Sequence, residues 1–194
     1  WLERVKDWDL NHQSTIIGSC ALSVGVYQGP KKFKTVKVLV KSGVSLDYRT
    51  FSGSSVLTNA CDNEDSDPHV LRYLLRVLKA VYSNESLTSE LNTRRRAKSL
   101  KWKGIYFAAK VLRKSNLCKS VLMESLARET GNTVLNKAAI RGDVEIVKIL
   151  LESGTDPFLE NDLGMNAFDF CKMSGPFPSV ERVLRGHINE KQEG

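Results

Sequence analysis

The stretch "GNTVLNKAAIRGDVEIVKILLESGTDP", residues 131–157, decides how the rest of the chain is read. Leu135, Ala138 and Ala139 recur at helical spacing and give a short helix with a small-residue face, which lets neighbouring helices approach closely. Gly142 ends that helix, because glycine accepts the positive φ of a helix C-terminus without steric cost. Asp143 is placed to cap a second helix, whose apolar face carries Val144, Val147, Leu150 and Leu151. Gly154 closes it and Pro157 prevents its resumption. A helix–turn–helix pair this short cannot bury its apolar face alone, so it must stack on neighbours.

A neighbour follows directly. "GMNAFDFCKMSGPFPSVERVL", from Gly164 to Leu184, aligns without a gap on "GNTVLNKAAIRGDVEIVKILL", at an offset of 33 residues. Gly131 falls on Gly164, Leu135 on Phe168, Ala138 on Cys171, Gly142 on Gly175, Val147 on Val180 and Leu151 on Leu184. Weaker copies fill the chain before it. "STIIGSCAL" (Ser14–Leu22) and "FKTVKVLVKSGVSLD" (Phe33–Asp47) read as two helices of one repeat separated by an inserted "SVGVYQGPKK". "SGSSVLTNACDNEDSDPHVLRYLL" (Ser52–Leu75) is a second copy, with Asp67 as N-cap and Pro68 as the first helical residue. "GIYFAAKVLRKSNLCKSVL" (Gly104–Leu122) reads as a third, with Ala108 and Ala109 in the small-residue positions.

The pattern resembles the ankyrin repeat. Gly131, Thr133, Leu135, Ala138, Ala139, Gly142, Ile146, Val147, Leu150, Leu151, Gly154 and Asp156 all fall on that family's consensus. No copy keeps the family's T-P-L-H tetrapeptide, which becomes "TVLN", "SVLT", "TIIG" and "NAFD". The resemblance implies an all-α solenoid of stacked helix–turn–helix pairs with short hairpin loops, about five irregular repeats in one domain over 1–194. Their expected spans are 13–46, 47–80, 102–127, 128–160 and 161–190, with a basic helical or loop insertion at 81–101.

Family architecture also implies where a protein partner would bind: the hairpin tips and the exposed side of each first helix. Carried onto this chain, the tips are Tyr48, Arg49, Phe51, Arg128, Glu129, Glu160, Asn161 and Asp162. The first-helix positions are Ser19, Asn59, Phe107, Lys137 and Phe170. Tyr48, Phe51, Phe107 and Phe170 stand out there, since exposed aromatics anchor interfaces. The function implied is a non-catalytic protein-interaction module of a larger intracellular, cytoplasmic protein. A cytosolic region of an ion channel or multidomain enzyme would carry the same pattern. The chain begins at Trp1 and has no signal-peptide pattern, which fits a piece of a longer protein.

Charge singles out one further segment. The 194 residues carry a net charge of +7, and Leu91–Met123 holds ten Lys/Arg with no acid, leaving the remainder net acidic. Within it "NTRRRAKSLKWKG", residues 92–104, brings Arg94, Arg95, Arg96, Lys98, Lys101 and Lys103 around Trp102. The proline-free run with Ala97, Leu100, Gly104, Ala108 and Val111 predicts an extended helix running into the third repeat, weakest at Gly104. Four uses are open to the cations of 94–119: a solvated insertion whose lysine stems cover apolar surface, a docking patch for an acidic protein or anionic lipid, a nucleic-acid contact, or a nuclear import signal. Ser99 follows the arginines at a spacing suited to basophilic kinases.

Nothing in the sequence points to catalysis. Cys20, Cys61, Cys118 and Cys171 are widely spaced and fall on positions needing small or medium apolar groups, as free thiols of a reducing compartment. His12, His69 and His187 have no partner at motif spacing, and no phosphate-binding glycine loop is present. "DNEDSDP" (Asp62–Pro68) lacks the glycine and glutamate of a calcium loop and reads as an acidic turn. No enzyme activity, cofactor, metal or small-molecule substrate is expected, and no apolar run is long enough to span a bilayer.

Overall fold

The computed structural model describes residues 9–27, 32–62, 67–115, 120–173, 175 and 177–193. The described residues form helices α1 (Ala21–Tyr27), α2 (Lys32–Lys41), α3 (Val56–Cys61), α4 (Pro68–Val81), α5 (Asn84–Leu91), α6 (Leu100–Ser115), α7 (Val121–Glu129), α8 (Val134–Arg141), α9 (Val144–Glu152), α10 (Ala167–Met173) and α11 (Pro178–Glu193). The only extended pairing among them is an isolated bridge between Arg49 and Ser55.

Helix ends follow the caps. Ser55, Asp67, Thr133 and Asp143 each accept a backbone N–H of the first turn through the side chain, as N-caps do. Gly142 closes α8 at φ 71° in the left-handed region. The inner helices α1, α3, α8 and α10 pack in one row and the outer helices α2, α4, α9 and α11 in a second. Leu22, Leu57 and Leu135 of the inner row are buried against Leu71, Leu74, Val147, Leu150 and Leu184 of the outer row. The result is the all-α stack that the repeat pattern implies.

Two expected boundaries change. The first is the register of repeat one. Gly18, Gly53, Gly131 and Gly164 all have positive φ (68°, 93°, 77° and 72°) and each sits two residues before a cap position. Cys20 therefore stands where Ser55 and Thr133 stand, five residues later than a reading based on Thr15. Much of the supposed insertion "SVGVYQGPKK" is α1 itself. Ser23 reaches back to the Cys20 N–H at 2.9 Å and donates to the Cys20 carbonyl, replacing the usual cap hydroxyl.

The second change is larger. The segment expected as a third repeat, 102–127, is not in the stack: α6 and α7 pack on each other, while α3 packs on α8 and α4 on α9. The hairpin fingers show where the segment enters. In one finger the Thr50 N–H donates to the Ser54 carbonyl and the Gly53 N–H to the Thr50 carbonyl. In another, Asn161, Met165 and Gly164 repeat this pairing. Between them the Arg95 N–H donates to the Asn132 carbonyl (2.9 Å) and the Gly131 N–H to the Arg95 carbonyl (3.1 Å). Arg95 thus occupies the place of Thr50 and Asn161, and residues 96–130 replace a two-residue finger tip. The insertion is a helical hairpin grown from one finger, not residues 81–101.

The extended helix also breaks differently from the reading. Residues 92–99 are non-helical, and the Lys98 N–H donates to the Phe51 carbonyl at 2.9 Å. Gly53 makes this crossing feasible, since a Cβ there would collide with the Arg96 backbone. Residues 84–91, polar by sequence and open to either a loop or a loose helical turn, form α5, capped by Ser83 and anchored by buried Leu87 and Leu91. No helix among the described residues is long and apolar enough to cross a membrane.

Candidate functional site

The inner-helix positions at which the family's architecture would present a binding surface lie four residues beyond each cap, and only the first of them is exposed here. Those positions hold Val24, Asn59, Lys137 and Phe170. Val24 is 44% exposed and replaces Ser19, which belongs to the turn before α1. The signal was available: "GSCAL" (Gly18–Leu22) parallels "GSSVL" (Gly53–Leu57), and the shared glycine fixes the register.

Val24 faces a cleft of about 410 Å³ between the first two repeats and the start of α6. Ile17, Val24, Tyr27 and Trp102 form its apolar walls, with Asn59 and Asp62 as polar lining. Ile17 and Tyr27 are 49% and 41% exposed, so this surface is open to solvent. Tyr27 donates to the Asp62 carboxylate at 3.4 Å, and its burial, with the Asp62 charge adding to it, pushes the phenol up to about 12. The Trp102 indole N–H is buried without an acceptor, and its ring lies 5.6 Å from that of Tyr106.

Next to the cleft runs a chain of charges. The Arg95 guanidinium pairs with Glu129 and donates to the Ser52 hydroxyl (2.8 Å) and carbonyl (3.2 Å). Glu129 also takes the Lys137 ammonium, which reaches Asp62 at 3.1 Å. Asp62 accepts from the Arg141 side as well, through its backbone carbonyl at 2.6 Å. Only 5% of the Lys137 side chain is exposed. A buried ammonium without partners would cost several kcal/mol, and two carboxylates offset that. The hairpin thereby locks onto the stack at its base.

The other residues named from sequence divide by burial. Tyr48 and Phe170 are in the core, at 7% and 0% exposed, so neither is an exposed anchor. Tyr48 donates to the Gly18 carbonyl, and Phe51 is half-buried with its ring against Gly18. Arg49 pairs with Glu90, and Arg128 with Glu124. Asn59 and Asn161 are buried, the latter donating to the Arg128 carbonyl and the Asn132 side chain. Glu160 is exposed. Phe107 is 68% exposed, but on the hairpin and not on an inner helix of the stack.

The basic residues separate in the same way. Arg95 is internal, and Arg96 pairs with Asp162, which Lys110 also reaches at 3.1 Å. Arg94, Lys98, Lys101 and Lys103 are exposed. Ser99 is half-buried and caps α6, its Oγ accepting the Trp102 N–H at 3.2 Å. Cys20, Cys61 and Cys171 are buried free thiols. Burial pushes the Cys61 and Cys171 thiols up, away from the nucleophilic thiolate. Cys118 and Lys119 lie outside the described residues, as do residues 63–66 of the acidic turn. Among the described residues no group of His, Cys, Asp and Glu could hold a metal.

Residues 130–162 match the family model of the ankyrin repeat, which takes in α8, α9 and the finger up to Asp162. In this repeat the Asn136 side chain stands where the consensus has histidine. It donates to the Leu159 carbonyl of the next finger at 3.4 Å, a link between adjacent loops. No curated protein matches the chain. Ankyrin repeats are protein–protein interaction motifs and are generally non-catalytic.

Proposed function

We propose that this chain is a non-catalytic interaction module of a larger intracellular protein. It holds an extended segment of a protein partner in the cleft between α1, α3 and the start of α6. The cleft itself carries the reading: four apolar or aromatic side chains around buried polar groups, on the concave side of a rigid stack. Ile17, Val24 and Tyr27 offer apolar contact, and the Trp102 ring adds a further wall. The buried free thiols support a reducing, intracellular location.

A library of displayed linear peptides tests this. Enriched peptides are expected to share an apolar anchor and to lose at least about tenfold in affinity on Ile17→Asp or Trp102→Ala. Phe158→Ala, at an exposed position on the last finger, should leave them unaffected. No enrichment, or enriched peptides indifferent to both cleft substitutions, would refute the reading.

A further inference from the structure

The outward surface of the α6–α7 hairpin combines two features on one face. Leu100, Phe107 and Val111 lie along α6 at 85%, 68% and 46% exposure, and Val121 and Leu122 open α7 at 81% and 63%. Tyr106 and Ala109 of α6 are buried instead, so the helix has a distinct inner side. Helix α7 begins within six residues of the end of α6 and packs on it, so Val111 near the end of α6 and Val121 and Leu122 at the start of α7 share one end of the hairpin. Around this apolar stripe stand Lys101, Lys103 and Lys114, preceded by Arg94 and Lys98. All five cations are exposed, and none has an ion-pair partner among the described residues.

The hairpin's own acids do not offset them. Glu124 is held by Arg113 and Arg128, and Glu129 by Arg95 and Lys137. Helix α6 contains no Asp, Glu, Asn, Gln, Thr or His. The face is therefore cationic and apolar, and α6 offers almost no side-chain hydrogen-bond acceptors.

We infer that this face docks the protein on an anionic lipid bilayer. The lysines meet headgroup phosphates and carboxylates, while Leu100, Phe107, Val111, Val121 and Leu122 enter the boundary between headgroups and acyl chains. Reversible anchoring needs two signals together, apolar burial and charge, and the hairpin supplies both. A nucleic acid would leave the aliphatic part of the stripe in water and find on α6 a lone exposed ring, Phe107, since the Trp102 ring lies against Tyr106. An acidic protein partner would meet the lysines, but charge pairing alone would leave the aliphatic stripe in water. Fluid headgroups require no fixed geometry. The two surfaces adjoin at the start of α6, but Phe107, Val111, Val121 and Leu122 do not line the cleft, so either site can fail without the other.

The full chain can be sedimented with vesicles of phosphatidylcholine alone and of phosphatidylcholine mixed with phosphatidylserine. It should bind the mixed vesicles at low salt and ignore the neutral ones. The triple variant Lys101→Glu, Lys103→Glu, Lys114→Glu should lower partitioning about a hundredfold, and Phe107→Ser about tenfold. Both sets of positions are exposed, so thermal unfolding serves as the control that the fold is unchanged. Absence of binding to the anionic vesicles, or binding that Phe107→Ser leaves unaltered, overturns the proposal. Tighter binding to polyglutamate or to single-stranded RNA than to the vesicles overturns it too.

Discussion

Phe170 is sealed between the last inner helices and the outer row, with none of its surface exposed. Truncating it leaves a cavity that surrounding side chains fill only in part, so Phe170→Ala should cost about 4 kcal/mol in denaturant unfolding. Phe107→Ala removes a ring already in water and should change stability by less than about 0.5 kcal/mol. Equal losses from the two would contradict the packing described. The two phenylalanines hold the same place in the aligned repeats, and only the packing partner separates them. Residue type shows what a position tolerates, whereas burial depends on which helix comes to lie opposite. Lys137 makes the point from the polar side. A lysine on an exposed helix face is the ordinary expectation, yet Asp62 and Glu129, far apart in sequence, converge to enclose it.

At the scale of elements, caps and glycines were the legible part. Asp67 with Pro68, Thr133, Gly142 and Asp143 act locally, and the structure uses them as their chemistry suggests. The register of α1 differs because "TIIG" resembles the family tetrapeptide by residue type, while Gly18 marks the turn by backbone conformation. Helices α6 and α7 resemble a repeat because a helical hairpin and a repeat share one local pattern, short apolar helices with small residues such as Ala108 and Ala109. What distinguishes them is stacking on neighbours, which is non-local. The insertion is fastened to the last finger through Asp162. Burial works against ionisation of this carboxyl, but hydrogen bonds and charge from Arg96 and Lys110 outweigh it and hold it below its ordinary value of 3.8. A depressed carboxyl stabilises the fold above its ordinary pKa, and that contribution fades as pH falls through the folded value. Asp162→Asn should therefore cost about 1 kcal/mol at pH 7, with the gap to the parent protein closing below the ordinary value of 3.8. Melting curves of both proteins across that range provide the check, and a gap that does not narrow as pH falls below 3.8 would contradict it.

Across the whole molecule, the net charge of +7 belongs to a segment set outside the stack. The array itself is a nearly balanced scaffold with a concave cleft, and the hairpin adds a cationic, partly apolar surface at one finger. This division rests on α3 and α8 being direct neighbours, with residues 96–130 grafted onto a finger tip. Removing a finger insertion leaves the contacts of α3 with α8 and of α4 with α9 in place, whereas removing an integral repeat would take a native stacking partner from each of its neighbours. The decisive measurement replaces residues 96–130 with the two-residue tip Asp-Leu found at Asp162–Leu163, then follows unfolding by circular dichroism. The shortened chain should keep one cooperative transition, lose helix signal only for α6 and α7, and lose about 2 kcal/mol from the missing Glu129 pairings. A chain that no longer unfolds cooperatively, or loses the helix signal of the stack, would show that α6 and α7 are an integral repeat.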